Sequence, residues 1–235
     1  MNTSCRPIAL AALLVALAAP AAIAQGPTPA RPTAAATPAE KAARAARIAR
    51  ADRGRIRGAQ NGVWVVVISD FQCPFCKKWH DETGSLIERD YVRTGKAQIA
   101  YINYPIASIH PNSFATHEVA MCAAEQERFF PVAEALFKKQ EEWKGVRDIN
   151  AYLDAMVRTL PIDRARLQSC LASGEMRALI EADMERSKKM GVGSTPTFLI
   201  GGKMLIGAQP YEAFKQAIDA AIAAAAVAAS PRRAP

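Results

Sequence analysis

Cys73-Pro74-Phe75-Cys76 is the stretch of this chain whose residue types and spacing can do chemistry. Two thiols separated by two residues can close a small disulfide ring, one sulfur attacking and the other resolving. The thiolate is the nucleophile in such exchange, so one sulfur needs surroundings that favour negative charge. The neighbouring residues supply them. Val63-Trp64-Val65-Val66-Val67-Ile68 is an apolar, β-branched run that reads as a buried strand. The segment after Phe75 reads as a helix. Cys73 then sits at a strand-to-helix junction, where free backbone N–H groups and the helix dipole stabilise a thiolate. The competing use of this spacing is half of a zinc site. Zinc needs four ligands, yet there is no second Cys-x-x-Cys, and the histidines are His80, His110 and His117. His80 could share a helix face with Cys76, but a fourth ligand is not obvious. The reading is therefore redox, with no metal and no cofactor.

The first residues read as an export signal, 1–24. Arg6 supplies the positive start, Ile8 to Ala19 is an apolar stretch too short to span a bilayer, and Ala22-Ile23-Ala24 fits a small-x-small cleavage site. An uncleaved anchor is the alternative. Cys5 precedes the apolar stretch and is discarded with the signal. Export to the periplasm gives the remaining cysteines an oxidising setting. With Cys73 and Cys76 as the redox pair, Cys122 and Cys170 remain, either bridged or as two buried free thiols. The oxidising compartment favours the bridge.

The net charge is +8, from 30 basic and 22 acidic residues. Much of the excess lies between Lys41 and Arg57. Nucleic-acid binding does not fit this run, because no aromatic residues interleave for base stacking and an exported protein meets little nucleic acid. A solvated face or contact with anionic lipid fits better. Residues 25–60 are expected to be a disordered or helical N-terminal linker. Its Pro38 to Arg53 portion is rich in Ala, Arg and Glu and has Ile48 as its only large aliphatic residue. Such a segment should stay solvated or serve as an oligomerisation stalk, making a homo-oligomer through the N-terminal segment possible.

Further along, Lys96 to Asn103 alternates as a second strand. From Pro111 to about Met190 the chain reads as helices, with breaks at Pro131, Lys144-Gly145, Leu160-Pro161 and Ser173-Gly174. Thr197 to Ile200 and Lys203 to Ile206 flank Gly201-Gly202 as a hairpin. Tyr211 to about Ala228 closes the domain as a helix.

On these residues the chain resembles the DsbA-like thiol:disulfide oxidoreductases of the thioredoxin superfamily. Ser69-Asp70-Phe71-Gln72-Cys73-Pro74-Phe75-Cys76 is similar to the family's active-site stretch. Gly191-Val192-Gly193-Ser194-Thr195-Pro196-Thr197-Phe198 is similar to its second signature, a cis-proline turn before a strand. Gly207-Ala208-Gln209-Pro210-Tyr211 resembles the lead into the last helix. The resemblance implies an α/β thioredoxin fold with an inserted all-helical domain: thioredoxin-like residues 61–104 and 175–229, a helical insertion at 105–174, and a disordered tail at 230–235. It implies that Cys73 is the nucleophile and Cys76 the resolving cysteine, with Thr195 and Pro196 beside the sulfurs. It also resembles members that carry a second cysteine pair. Where many relatives have a buried strand carboxylate, this chain has Val67. Asp70 is the nearest acid, expected to act only as a loop or cap carboxylate. Phe75 between the cysteines cannot support a thiolate by charge or hydrogen bonding, so a milder oxidant is expected.

The function implied is thiol–disulfide exchange with unfolded or misoxidised exported proteins, the pair being reset by a membrane redox partner. Whether the chain runs as an oxidase or as an isomerase or reductase is open at this level. The alternative is a periplasmic copper- or zinc-binding thiol chaperone using Cys73 and Cys76, since soft thiolates suit Cu(I).

Overall fold

The structure is a computed structural model that describes Met1 and residues 37–229. The export signal, Cys5, the first part of the N-terminal segment and the tail at 230–235 lie outside the described residues.

The unbroken apolar run of β2 (Val63–Ser69) is explained by its place in the sheet. Among the described residues the sheet has five strands with β2 at its centre, and Val65, Val67 and Ile68 are all buried. Its parallel neighbour is β3 (Ala97–Asn103), in register from Val63 opposite Ala97 to Ser69 opposite Asn103. On the other side β4 (Thr197–Ile200) runs antiparallel and turns into β5 (Lys203–Ile206). Gly201 and Gly202 make that turn with φ of 56° and 80°, the left-handed conformation that a two-residue hairpin loop demands and glycine adopts without strain.

The crossover between the parallel strands is helical. It starts as α2 (Pro74–Trp79) and passes through α3 (Ser85–Ile87), with π-type turns at His80–Gly84 and Glu88–Val92. After β3 come five helices: α4 (Ser113–Ala124), α5 (Phe129–Lys138), α6 (Gln140–Trp143), α7 (Ile149–Val157) and α8 (Arg164–Ser173). Cys122 on α4 and Cys170 on α8 are joined by a disulfide, with a Cα separation of 5.7 Å. The chain returns through α9 (Glu175–Lys189) and ends, within the described residues, on α10 (Tyr211–Ala229).

Two aromatic clusters fill the core. Trp79 packs on Phe198 and Phe214, with ring centroids 4.8 and 6.1 Å away. Phe71 packs on Phe137 and Phe129 at 5.1 and 6.2 Å. Each such buried side chain stabilises the fold by roughly 1.5–3 kcal/mol. The second cluster holds the segment leading to Cys73 against the helical insertion.

The N-terminal segment takes the helical form of its expectation over Pro38–Gly54, but it docks on the core rather than staying solvated. Residues Pro38–Gly54 form α1, begun by a capping box in which Thr37 and Glu40 satisfy each other's backbone N–H groups. The helix docks through small residues rather than large aliphatic ones. Ala51 is fully buried, and a Cβ on Gly54 would lie 2.0 Å from the Ala124 carbonyl oxygen. Ion pairs complete the seal: Arg47 to Glu175, Arg50 to Glu125, and buried Arg55 to Asp183. The chain then adds β1 (Ile56–Gly58) antiparallel to β3 at the sheet edge. Large aliphatic residues are thus not the only way a segment can join a core.

Candidate active site

The turn after β2 delivers Cys73 to the N-cap of α2, with extended backbone and Pro74 as the first helical residue. Proline suits that position because its missing N–H is one that the helix leaves unpaired. Cys73 and Cys76 are both reduced in the structure. Cys76 is fully buried, whereas Cys73 keeps 5% of its surface at the protein boundary. Exposed Phe75 stands beside it.

The two sulfurs have opposite ionisation. The Cys73 pKa is lowered to about 6, chiefly because the Cys76 thiol donates a hydrogen bond to its thiolate. Thr195 and the backbone N–H groups of Cys76 and Phe75 add to this, against the opposing effect of burial. Burial pushes the Cys76 thiol well above its ordinary value, and the neighbouring charge of Cys73 pushes it further. One sulfur is therefore largely thiolate near neutral pH while the other holds its proton.

Thr195 and Pro196 reach this point from the loop before β4. Their peptide bond is cis, and the Cys73 thiol lies 3.4 Å from the Thr195 carbonyl oxygen. The Thr195 hydroxyl is buried and has no conventional hydrogen-bond partner among the described residues. The Pro196 carbonyl accepts from Gly207 N–H at 2.8 Å, tying the loop to the end of β5. Phe75, Lys78, Ser194, Thr195, Gly207 and Ala208 line a shallow, mostly apolar groove here.

Asp70 is more than a loop or cap carboxylate. It is completely buried and touches the motif through its backbone carbonyl and N–H. Its carbonyl accepts from Cys73 N–H, and its own N–H points at Cys76 Sγ, 3.4 Å away. Its carboxylate accepts from Gln72 N–H, Ile106 N–H, the Ser113 hydroxyl and His110 Nδ1. Those hydrogen bonds, led by His110, hold its carboxyl below the usual range although burial acts the other way. Val67 on the strand is fully buried and carries no proton.

Glutamines brace the same turn. Gln140 Nε2 donates to the Phe71 and Cys73 carbonyls, Gln72 Nε2 donates to the Lys144 carbonyl, and Gln72 Oε1 accepts from Asn112 N–H. Sequence reading missed His110, Ser113, Asn112 and Gln140 as neighbours of the motif. The only signal for His110 was its rarity among three histidines.

His80 points elsewhere. Its Nε2 meets Glu134 at 2.8 Å and its ring stacks on Phe137. Among the described residues no three His, Cys, Asp or Glu side chains gather in a way that could hold a metal ion. Cys122 and Cys170 take no part in the site. They bridge two helices of the insertion.

A thioredoxin family model matches residues 51–220. A probable disulfide bond formation protein D of Bacillus anthracis is 27% identical over 163 residues, covering 67% of this chain and 72% of that protein. The Na(+)/H(+) antiporter NhaA 3 of Salinispora tropica is 29% identical over 175 residues, 74% of this chain. This chain spans only 26% of that antiporter's length. Among solved structures, Wolbachia pipientis alpha-DsbA1 superposes with a TM-score of 0.67 at 18% identity, covering 75% of this chain and 94% of that one. Oxidised BdbD of Bacillus subtilis superposes with a TM-score of 0.65 at 21% identity, covering 73% and 94%. These two likenesses establish the fold: a thioredoxin-type sheet with a helical insertion.

Proposed function

The chain belongs to the thioredoxin family, and from that premise we propose that it is an exported thiol:disulfide oxidoreductase passing a Cys73–Cys76 disulfide to unfolded or misoxidised exported proteins. The observation that carries this is the split between the two sulfurs, a stabilised thiolate at Cys73 beside a protonated, buried Cys76. A stabilised Cys73 thiolate favours the reduced dithiol, which makes the disulfide form a donor.

The exchange has two steps. A substrate thiolate attacks Cys73 Sγ of the oxidised pair. The Cys73–Cys76 bond breaks, and Cys76 leaves with the electron pair and takes up a proton. The substrate is then joined to Cys73. A second substrate thiolate attacks the substrate sulfur of this mixed disulfide, and Cys73 departs as thiolate. Its low pKa makes it a good leaving group. The substrate loses two electrons, and the enzyme gains them as one thiolate and one thiol. A membrane redox partner bearing an oxidised disulfide would take them back.

Thr195 and Pro196 form the wall beside the attacked sulfur. Once Cys73 has no S–H, the Thr195 carbonyl is released to accept from a substrate backbone N–H, a form of recognition that tolerates many sequences. Large apolar residues stay exposed on segments leading into the site, Phe75 in the motif, Ile109 beside His110 and Met190 before the Thr195 loop. They suit an unfolded chain with apolar side chains as substrate. The insertion, residues 105–174, roofs the motif turn through Gln140 and Asn112.

The test is the redox state of Cys73 and Cys76, trapped by thiol alkylation in cells, together with refolding of reduced ribonuclease by the purified protein. A mainly oxidised pair that drives refolding is expected. A mainly reduced pair would turn the assignment to isomerase or reductase, and failure to exchange disulfides in either direction would end it.

A further inference from the structure

The motif dipeptide Pro74-Phe75 contains no charge to support a thiolate, but the fold brings one from 37 residues beyond Cys73. His110 sits in the segment between β3 and α4, with its side chain mostly buried and Nδ1 at 2.8 Å from Asp70 Oδ2. We propose that Asp70 is a positioning residue that holds His110 as a cation, and that the His110 charge favours the thiolate of Cys73 over its thiol. This inference rests on the oxidoreductase reading and adds to it the group that sets the reactivity of Cys73.

Three observations carry it. First, the Asp70 carboxylate is filled. Gln72 N–H and Ser113 reach Oδ1, while Ile106 N–H and His110 reach Oδ2. Four donors occupy about all the lone pairs a carboxylate offers. It therefore cannot serve Cys76 as a proton acceptor without breaking the network, and its role is that of a fixed anion. Second, a fixed buried anion makes the imidazolium the favoured state of the ring that touches it, and the His110 pKa is raised, first by this hydrogen bond. Third, Asp70 also contacts both sides of the motif, through Cys73 N–H and Cys76 Sγ, so the ion pair and the sulfurs share one rigid turn. The negative charge of Cys73 acts on His110 in the same direction as that of Asp70, though it is the smaller effect.

Besides Cys73, one other titrating group acts on this pair most directly. From α4, His117 faces Asp70 but is buried and neutral, its pKa lowered to about 4. Asp183 of α9 and Arg55 act on His117 and are paired with each other.

Coupling between two titrating groups is reciprocal. If His110 favours the Cys73 thiolate, the thiolate must favour protonated His110 equally. The experiment uses the mature protein. The pKa of His110 is read from its ring resonance by NMR in the oxidised and the reduced forms. The ionisation of Cys73 is read from thiolate absorbance in the parent and in His110→Asn, where the amide keeps a donor for Asp70 but no charge. His110 is expected to titrate higher in the reduced protein. Cys73 in His110→Asn is expected to ionise at a pH higher by a matching amount, about half a unit or more. A purely structural role would alter stability and leave both titrations in place. Equal His110 titration in the two redox states of an exchange-active protein would overturn the inference, even if His110→Asn fails to fold. An unchanged Cys73 titration in a folded His110→Asn would do the same. A parent protein that exchanges no disulfides removes the oxidoreductase reading itself, a result separable from these two.

Discussion

Two regions of this molecule are built from the same parts list and do different things. Each has a pair of cysteines, a fully buried aspartate and a histidine. At the mouth of the sheet stand Cys73, Cys76, Asp70 and His110. Deeper in, among α1, α4, α8 and α9, stand Cys122, Cys170, Asp183 and His117. Helix α4 links them, with Ser113 bonded to Asp70, His117 to Asn103 and Cys122 to Cys170. The difference lies in what surrounds each part. Cys73 sits at a helix start with backbone donors around its sulfur, so its thiolate is favoured. Cys122 and Cys170 are buried on two helices and already bonded to each other. Asp70 is met by a histidine, whose charge can change. Asp183 is met by Arg55, whose charge cannot, with Asn103 and Arg186 completing its shell. Identical chemistry becomes reactive or structural according to neighbours.

The widest gap should appear when each cysteine pair is removed. Cys73→Ser is expected to abolish disulfide exchange while leaving urea stability nearly unchanged. The double change Cys122→Ser with Cys170→Ser should do the reverse. It keeps ribonuclease oxidation and lowers stability by about 4 kcal/mol, the chain-entropy value for a 48-residue separation. Loss of exchange in the double variant would break the comparison.

The aspartates sharpen it next. Asp183→Ala leaves the buried Arg55 guanidinium with only the half-exposed Asp52 as its anion, a cost of up to about 3–5 kcal/mol in urea unfolding. The exchange rate of the fraction still folded should stay near that of the parent.

Much of this contrast could be read from residue order, and some of it could not. The strand before Cys73, the Gly201-Gly202 hairpin and the helix after Tyr211 announce themselves through local periodicity or turn chemistry, which act over a few residues. The Asp70–His110 contact spans 40 residues and the Arg55–Asp183 contact 128. Nothing local distinguishes those side chains from solvated ones. Strand β1 is three residues long and has no alternation of burial, since all three are exposed. It forms because β3 offers an edge. Pro131 misleads in a different way. It was expected to break a helix, but it lies in the first turn of α5, where a missing N–H costs nothing. The actual break falls between Ala124 and Phe129, around Glu127 with its φ of 60°.

The histidines separate the regions through acid. His117 is buried and its pKa falls from 6.5 to about 4, chiefly by desolvation. Its neutral form belongs to the folded state, so its contribution is complete above pH 6.5 and disappears as pH falls toward 4. That loss is roughly 3 kcal/mol. His110 has the opposite sign. Its raised pKa gives stability that is present below 6.5 and lost as pH rises through its folded value. The carboxyls of Asp70 and Asp183 are held low and lose their contributions only in stronger acid, below the ordinary aspartate value of 3.8. Urea melts at a series of pH values should therefore show a decline from pH 6.5 to 4. His117→Asn, less stable at pH 7, should lack it. A parent protein with flat stability across that window would place a charged His117 in the core and undo the distinction.

The smallest effect should come from the motif itself. Phe75→His places an imidazole between the cysteines, in addition to His110 outside the motif, and a cation there favours the Cys73 thiolate. Residue 75 is 62% exposed, however, so water and salt screen its charge. Cys73 already receives hydrogen bonds from Cys76, from Thr195 and from backbone N–H groups, and each added donor to a satisfied thiolate gains less than the first. The expected change is a fall in the Cys73 pKa of about one unit or less, worth about 1.4 kcal/mol at most, and it should shrink as ionic strength rises. Thiolate absorbance against pH at low and high salt measures it. A fall of several units that resists salt would mean that the dipeptide, rather than the buried surroundings of the turn, governs the reactive pair.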